Sequence, residues 1–314
     1  MAQRLDYLDI VKGIGILLVI IGHCQLGRIA CIHSIIYSFH MPLFFFLSGV
    51  CFSNKYTFLA LAKKRFRQMV LPTFWFSLIS ILVVDGLELQ VEWWDWSNHF
   101  PFALWFLPIL YITELLAWLI CNKITNKVGL AIFLFLLLLV PHLLTHFSID
   151  LFYSIAAIPS ALFFYLIGYS LKKIVCEFNF RINVVGLLLA ALNVIIVRYG
   201  HVSVELASGH VSPFLIAELA AFAGFFSCLC FSKELTYGGG KYKLKQILIW
   251  LGQNSLCLML VHQLIKEVLD KYVLSFIDSN FIVIVLQVLL TLVFSVLITR
   301  LVTNYIPYII GRKS

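Results

Sequence analysis

Charged residues are scarce in this chain. Only 12% of its 314 residues are Asp, Glu, Lys or Arg, whereas 62% are hydrophobic. A soluble globular protein carries about 25% charged residues, so this chain lacks the polar side chains needed to cover a water-facing surface. The composition excludes a soluble enzyme or binding protein and predicts an all-α, polytopic membrane protein.

Metal-binding and nucleotide-binding motifs are also absent from the sequence. The eight cysteines occur without a CxxC pair or a His/Cys cluster, so we expect buried thiols rather than disulfides or a zinc site. The glycines of KGIGIL at 12–17 lack the third glycine and the preceding strand of a dinucleotide-binding motif. We therefore expect neither a bound metal nor a dinucleotide-binding fold.

Long apolar runs recur along the whole chain. Each is about 20 residues long, which is enough for a helix to cross a bilayer core of ~30 Å. The connections between them are short, so we expect one integral membrane domain over residues 1–314. About ten spans are predicted, near residues 8–27, 34–53, 68–86, 101–120, 128–147, 151–171, 182–199, 213–232, 246–265 and 281–303.

The basic residues predict the orientation of these spans. If the N-terminus is cytoplasmic, most of the 23 lysines and arginines also fall on the cytoplasmic side. This distribution predicts a cytoplasmic C-terminus, and it explains the net charge of +8 without a nucleic-acid partner. The basic residues left outside are Arg28, Arg198, Lys266 and Lys271. An acidic outer segment follows the third span, with Asp85, Glu88, Glu92 and Asp95.

The first span carries three polar residues that are costly in lipid. LDIVKGIGILLVIIGHCQ (8–25) contains Asp9, Lys12 and His23, and an Asp or Lys at a helix centre costs about 2.5–3.5 kcal/mol. Lys12 and His23 fall on nearly the same helix face, roughly 16 Å apart along the axis. They would line a polar path. Alternatively, Lys12 reaches the headgroups with Asp9 as its partner, and His23 bonds to a neighbouring helix.

A second histidine occurs near the outer end of the second span. His40 precedes Pro42, which frees a backbone carbonyl and bends a helix. Because the first two spans form a hairpin, His40 and His23 could lie at a similar depth and act as an acid–base pair. A metal site is the alternative, but no third ligand has suitable spacing. Further polar residues of the predicted ninth span are Asn254, Ser255 and His262.

Two interfacial stretches each allow two interpretations. The basic run KKRFRQMVLPTFW (63–75) could anchor the protein to anionic lipid or bind a phosphorylated cytosolic ligand. Its cationic residues are Lys63, Lys64, Arg65 and Arg67. The stretch VEWWDWSNHFPFALWF (91–106), which includes Trp105, could be an aromatic belt at the outer interface or an outer sugar site.

Together these segments resemble the acyltransferase 3 family of integral membrane acyltransferases, in particular its branch of sugar and polysaccharide O-acetyltransferases. The likeness covers nearly the whole chain, in the family's order. It rests on LDIVKGIGILLVIIGH ending at His23, FHMPLFFFLSG (39–49), the basic run before Pro72, LWFLPILY (104–111), FFYLIGYSLKK (163–173) and LGQNSLCLMLVH (251–262).

The resemblance implies about ten helices and transfer of an acyl group, usually acetyl from acetyl-CoA, to a hydroxyl of an extracytoplasmic or lipid-linked glycan. It implies a multi-pass protein of the cell membrane, and we expect a bacterial inner membrane. The family's histidine matches His23, and its basic residue eleven positions earlier, commonly arginine, matches Lys12. The family often has two arginines three apart; here the pairs are Lys64 with Arg67 or Arg65 with Gln68.

On this interpretation, His23 is the general base and His40 orients it or shares its proton. Burial disfavours the charged imidazolium and keeps such a base neutral. Direct transfer and an acyl-histidine intermediate both remain open, and a homo-oligomer is compatible with the sequence. The CoA phosphates would be held by Lys63, Lys64, Arg65 and Arg67. The inner mouth of the path would be lined by Asp9 and Lys12, with support from Trp105, Asn254, Ser255 and His262.

The competing class is a transporter or flippase that exports a glycan or glycolipid. It would also bury polar residues along a path and keep a basic inner mouth. Against it, the sequence shows no internal inverted repeat and no pair of broken helices. A membrane structural subunit would leave the three buried histidines unexplained.

Overall fold

The computed structural model describes residues 5–24, 29–85, 102–124, 126–149, 151–177, 183–238, 242–276 and 280–312. The positions of Arg28, of most of the predicted acidic segment and of residues 91–101 of the aromatic stretch lie outside the described residues. Helices make up almost all of the structure that is described, so the prediction of an all-α helical bundle is confirmed.

In the described part of the chain, ten helical regions follow one another in the order of the predicted spans. The third region includes two π turns, Phe66–Val70 and Ile81–Asp85, which flank the helix Leu71–Ser80. The helices are α1 (Asp6–His23), α2 (Ala30–Cys51), α3 (Phe58–Arg65), α4 (Leu71–Ser80), α5 (Phe106–Lys123), α6 (Lys127–His146), α7 (Ile158–Glu177), α8 (Asn183–Tyr199), α9 (Ile216–Tyr237), α10 (Tyr242–Gln253), α11 (Ser255–Tyr272) and α12 (Asn280–Tyr305).

Most of these helices have the length and composition of membrane spans. Within the described ranges, seven helices are long and apolar enough to cross a bilayer, and a bent pair would add an eighth. The two remaining predicted spans correspond to α1, which carries Asp6, Asp9 and Lys12, and to α8, whose apolar part is shorter. The chain is therefore a multi-pass membrane protein.

The prediction of the ninth span is wrong in one respect, because this segment is not a single helix. It divides into α10 and α11, which meet at Asn254 with a bend of 82°. The Asn254 side-chain amide donates to the Trp250 carbonyl at 2.8 Å, and such local bonds compete with the helical ladder. Gly252, Asn254 and Ser255 are also poor helix formers, so the residues at the break favour it.

Helix α1 contacts five other helices, α2, α9, α10, α11 and α12. Its closest neighbour is α10. A Cβ atom on Gly13 would overlap the Leu248 carbonyl oxygen, and one on Gly252 would overlap the Asp9 carbonyl oxygen. The two backbones can approach this closely only because glycine occupies both crossing positions. This crossing fixes the position of α1, which ends at His23.

A two-stranded antiparallel hairpin lies in the connection between α8 and α9. Its strands are β1 (Ser203–Glu205) and β2 (His210–Ser212), and Val204 pairs with Val211. These two valines are buried, whereas Ser203 and Glu205 are exposed, as expected because side chains alternate along a strand. β1 contacts α2 and β2 contacts α6, so the hairpin covers one end of the bundle.

Candidate active site

The hairpin and the ends of α1 and α2 enclose a cavity of about 160 Å³. We call it the histidine cavity. Its polar and aromatic lining consists of His23, His33, Tyr37, His40, Trp105 and Glu205. The structure thus brings three of the residues singled out in the sequence, His23, His40 and Trp105, to one cavity.

His23 is the last residue of α1 and is only partly buried. Its ring centroid lies 5.3 Å from that of His262 and 6.3 Å from that of Tyr37. His262 is fully buried and does not line the cavity, so it lies behind His23 on the protein side. The ring in direct contact with His23 is therefore His262, while Tyr37 lies beside both His23 and His40.

His40 and His262 are held in the same way by their own helices. Nδ1 of His40 lies 2.8 Å from the Ile36 carbonyl oxygen, and Nδ1 of His262 lies 3.0 Å from the Leu258 carbonyl oxygen. A carbonyl oxygen only accepts hydrogen bonds, so each Nδ1 carries a proton and, in the neutral ring, Nε2 is the acceptor. His262 Nε2 is buried and has no hydrogen-bond partner among the described residues.

The sequence interpretation missed three residues of this cavity. His33 stacks on Tyr37 with ring centroids 3.9 Å apart, and Tyr37 contacts the edge of His40 at 4.8 Å. His33, Tyr37 and His40 follow an i, i+4, i+7 pattern, which places them on one helix face. This pattern could have identified His33 and Tyr37 from the sequence. Glu205 belongs to the hairpin, where no helical periodicity marked it.

The size of the histidine cavity limits what can react there. A cavity of about 150 Å³ holds a molecule of the size of benzene, so about 160 Å³ accommodates reacting groups and not a whole saccharide or nucleotide. An imidazole with an available nitrogen can accept a proton from a hydroxyl in such a space. Within the described part of the chain, no group of three or more His, Cys, Asp or Glu residues could hold a metal ion.

A second, wider opening is lined by the basic run. This basic groove has a volume of about 1080 Å³ and is lined by Tyr56, Lys63, Lys64, Arg67 and Arg312, among others. Lys64 Nζ donates to the Tyr56 hydroxyl at 3.0 Å, and this ammonium lowers the pKa of the Tyr56 phenol. Arg312, which sequence reasoning missed, donates to the Gln253 carbonyl at 2.8 Å.

Arg65 does not line the basic groove. Its Nε and Nη2 lie 2.8 and 2.7 Å from Oε1 of Glu114, and its Nη1 donates to Gln68 at 3.0 Å. The Glu114 side chain is only 2% exposed, whereas that of Arg65 is 27% exposed. The structure therefore places Lys63, Lys64 and Arg67 around one opening and turns Arg65 toward a buried carboxylate.

The remaining predicted residues lie in the first half of α1 and at the bend between α10 and α11. Asp9 is buried and accepts a hydrogen bond from Gln253 at 3.3 Å. Lys12 Nζ is 3.9 Å from Cys51 Sγ. Asn254 occupies the bend and Ser255 begins α11. From Lys12, α1 leads to His23 over roughly 16 Å.

Comparison with known proteins gives one match. The family model of acyltransferase family 3, described as an acyltransferase domain, matches residues 5–300. The matched range contains the three histidines and the basic run but not Arg312. No curated protein and no solved structure matches this chain.

Proposed function

This chain belongs to the acyltransferase 3 family, and from that premise we propose that it moves an acetyl group from cytosolic acetyl-CoA to a hydroxyl of an extracytoplasmic or lipid-linked glycan. The family and the apolar helices make it a multi-pass membrane acyltransferase. The acetyl donor, the glycan acceptor and a bacterial inner-membrane location are parts of the proposal.

One observation supports the proposal above all. His23 lies on the wall of a cavity too small for a whole substrate, while the wide basic groove lies toward the other end of α1. Lys63, Lys64, Arg67 and Arg312 suit the phosphates of CoA, because arginine and lysine form charge-assisted hydrogen bonds with phosphate oxygens. The flexible pantetheine arm would then carry the thioester toward the histidine cavity.

The proposed chemistry uses His23 as the base. As the acceptor oxygen bonds to the thioester carbonyl carbon, His23 takes the hydroxyl proton. The carbon–sulfur bond then breaks, and the CoA thiolate takes this proton from His23. Trp105, whose indole N–H can only donate, is our candidate to stabilise the oxyanion. An acyl-histidine intermediate remains compatible with this arrangement.

The test measures transfer of labelled acetyl groups by the purified protein in detergent. We expect label to pass from acetyl-CoA to envelope glycan or lipid-linked oligosaccharide extracted from the source cell. His23→Gln should lower kcat by about 10²- to 10⁴-fold, because it removes the general base. His146→Gln, which changes an exposed histidine at the end of α6, is the matched control and should leave kcat unchanged.

Two results would contradict the proposal. Full transfer by a correctly folded His23→Gln variant would exclude His23 as the base. If the wild type transfers no label but moves glycolipid across a proteoliposome membrane, the transporter alternative is correct instead.

A further inference from the structure

We propose that a polar groove on the outer face of the β-hairpin binds a neutral sugar unit of the acceptor, an inference that rests on the proposed function. This hairpin groove has a volume of about 390 Å³. Its polar lining consists of Thr145, Ser148, Ser203, Glu205, Ser208 and His210. The described residues thus form a further opening, besides the histidine cavity and the basic groove.

The sizes of the openings give the first argument. Small-molecule sites have volumes of about 300–1,000 Å³, so the hairpin groove can hold a sugar unit at about 390 Å³, whereas the histidine cavity at about 160 Å³ is too small. An acceptor hydroxyl that reaches His23 must therefore belong to a molecule held mainly outside the histidine cavity. The hairpin groove is next to that cavity.

The hairpin itself connects the two spaces. Glu205 lines both of them. Along β1, Val204 faces the histidine cavity, and Ser203 on the opposite strand face lines the hairpin groove. Leu206 and Ala207 return to the histidine cavity, and Ser208 returns to the hairpin groove. The same short segment is therefore the wall between the proposed acceptor site and the proposed base.

The chemistry of the lining favours a sugar over a phosphate. Each sugar hydroxyl both donates and accepts, and it is matched by hydroxyl side chains and by the accept-only carboxylate of Glu205. Glu205 makes no ion pair with another described residue. No Lys or Arg is among the residues that line the hairpin groove, in contrast to the basic groove. Leu144 and Ile149 add an apolar patch for the C–H face of a sugar ring.

The walls of the hairpin groove are tied together by internal hydrogen bonds. Thr145 Oγ1 accepts the Val211 N–H at 3.2 Å and so joins α6 to β2. Ser208 Oγ donates to the Glu205 carbonyl at 3.0 Å, which closes the turn. Gly209 has φ of +74°, and a Cβ there would overlap Ala156. A preformed site loses less conformational entropy when it binds its ligand.

The test fills the hairpin groove with a bulky side chain. It then measures the KM for the acceptor and the Kd for acetyl-CoA separately. Ser208→Trp should raise the KM for the extracted glycan acceptor at least tenfold and leave the Kd for acetyl-CoA unchanged. Ser275→Trp is the matched control, because Ser275 is another exposed serine that donates to a local carbonyl, that of Lys271 at 2.9 Å. It should change neither value. Glu205→Gln, a milder second variant, should also raise the acceptor KM.

The outcomes separate this inference from the proposed function. If the wild type transfers acetyl groups and both Ser208→Trp and Glu205→Gln keep the wild-type acceptor KM, the hairpin groove is not the acceptor site, although the function stands. If Ser208→Trp fails to fold, Glu205→Gln alone decides by the same criterion. If the wild type acetylates no glycan fraction, the proposed function and this inference both fail.

Discussion

The histidine cavity and the basic groove hold their nitrogen-bearing side chains in opposite ways. His40 on the cavity wall and His262 behind His23 are 3% and 0% exposed, and each ring is hydrogen-bonded to a carbonyl of its own helix. In the groove, Lys63, Lys64 and Arg67 are exposed on one helical segment. The hydrogen bonds of the histidines fix the orientation of their rings. The basic groove instead presents positive charge on flexible side chains.

On the proposed function, this difference leads us to assign the chemistry to the histidine cavity and phosphate binding to the basic groove. Proton transfer needs a group held in a defined geometry, whereas the grip on a phosphate is the same in the ground state and the transition state and changes KM. Substitutions in the two regions should therefore separate into kcat effects and KM effects. Arg65 lies in neither region. Its substitution is the first test, and we expect it to have the largest effect.

Arg65→Met should lower the free energy of unfolding by about 3 kcal/mol, because it leaves the buried Glu114 carboxylate without its partner. The exposed Arg67→Met should change this free energy by less than about 0.5 kcal/mol. Denaturant unfolding of both variants in detergent measures the difference. Arg65→Met/Glu114→Leu should recover part of the loss, since no uncompensated charge remains. Equal stability of the two single variants would show that the pair with Glu114 is not structural.

His262→Phe should lower kcat by about 10- to 100-fold and leave the KM for acetyl-CoA unchanged. It keeps a ring behind His23 but removes the acceptor nitrogen that can hold the protonated His23, and a hydrogen bond to a charged group contributes about 1.5–3 kcal/mol. His262→Gln, which retains an acceptor, should recover part of kcat. If the Phe and Gln variants are equally slow, His262 acts through packing alone.

Lys64→Gln/Arg67→Gln should raise the KM for acetyl-CoA about tenfold and leave kcat within about twofold, because phosphate binding is uniform binding. The same variant should use S-acetylpantetheine, which lacks the nucleotide phosphates, as well as the wild type does. Lys123→Gln/Lys127→Gln removes two exposed basic residues outside the basic groove and serves as the control. A fall in kcat at unchanged KM would assign these residues to the chemistry instead.

The helical bundle could be predicted from the sequence, and so could part of the site. Apolar runs long enough to span a bilayer gave the ten helical regions in order, and the i, i+11 spacing of Lys12 and His23 placed them on one face of a single helix. The orientation of Arg65 away from Lys63, Lys64 and Arg67 could also have been predicted. At ~100° per residue, Lys63, Lys64 and Arg67 share one side of a helix and Arg65 points away from it.

Other features depend on contacts that no local pattern encodes. His262 reaches His23 only because α10 and α11 bend by 82° at Asn254, and the apolar residues on both sides of Asn254 suggested a continuous span. Glu205 and Ser208 belong to a short hairpin that folds back over α2 and α6. The roles of Asp9, Lys12 and Ser255 along the path stay predictions.

On the proposed function, the confined volume around His23 also has a consequence for the length of the acyl chain. An acetyl group adds only a methyl to the reacting carbonyl, whereas a medium-length fatty acyl chain would have to displace Val19, Met41 or Met259, which complete the apolar wall. If the proposed function holds, this enclosure should favour short acyl donors over long ones, whatever the affinity for the CoA portion that they share.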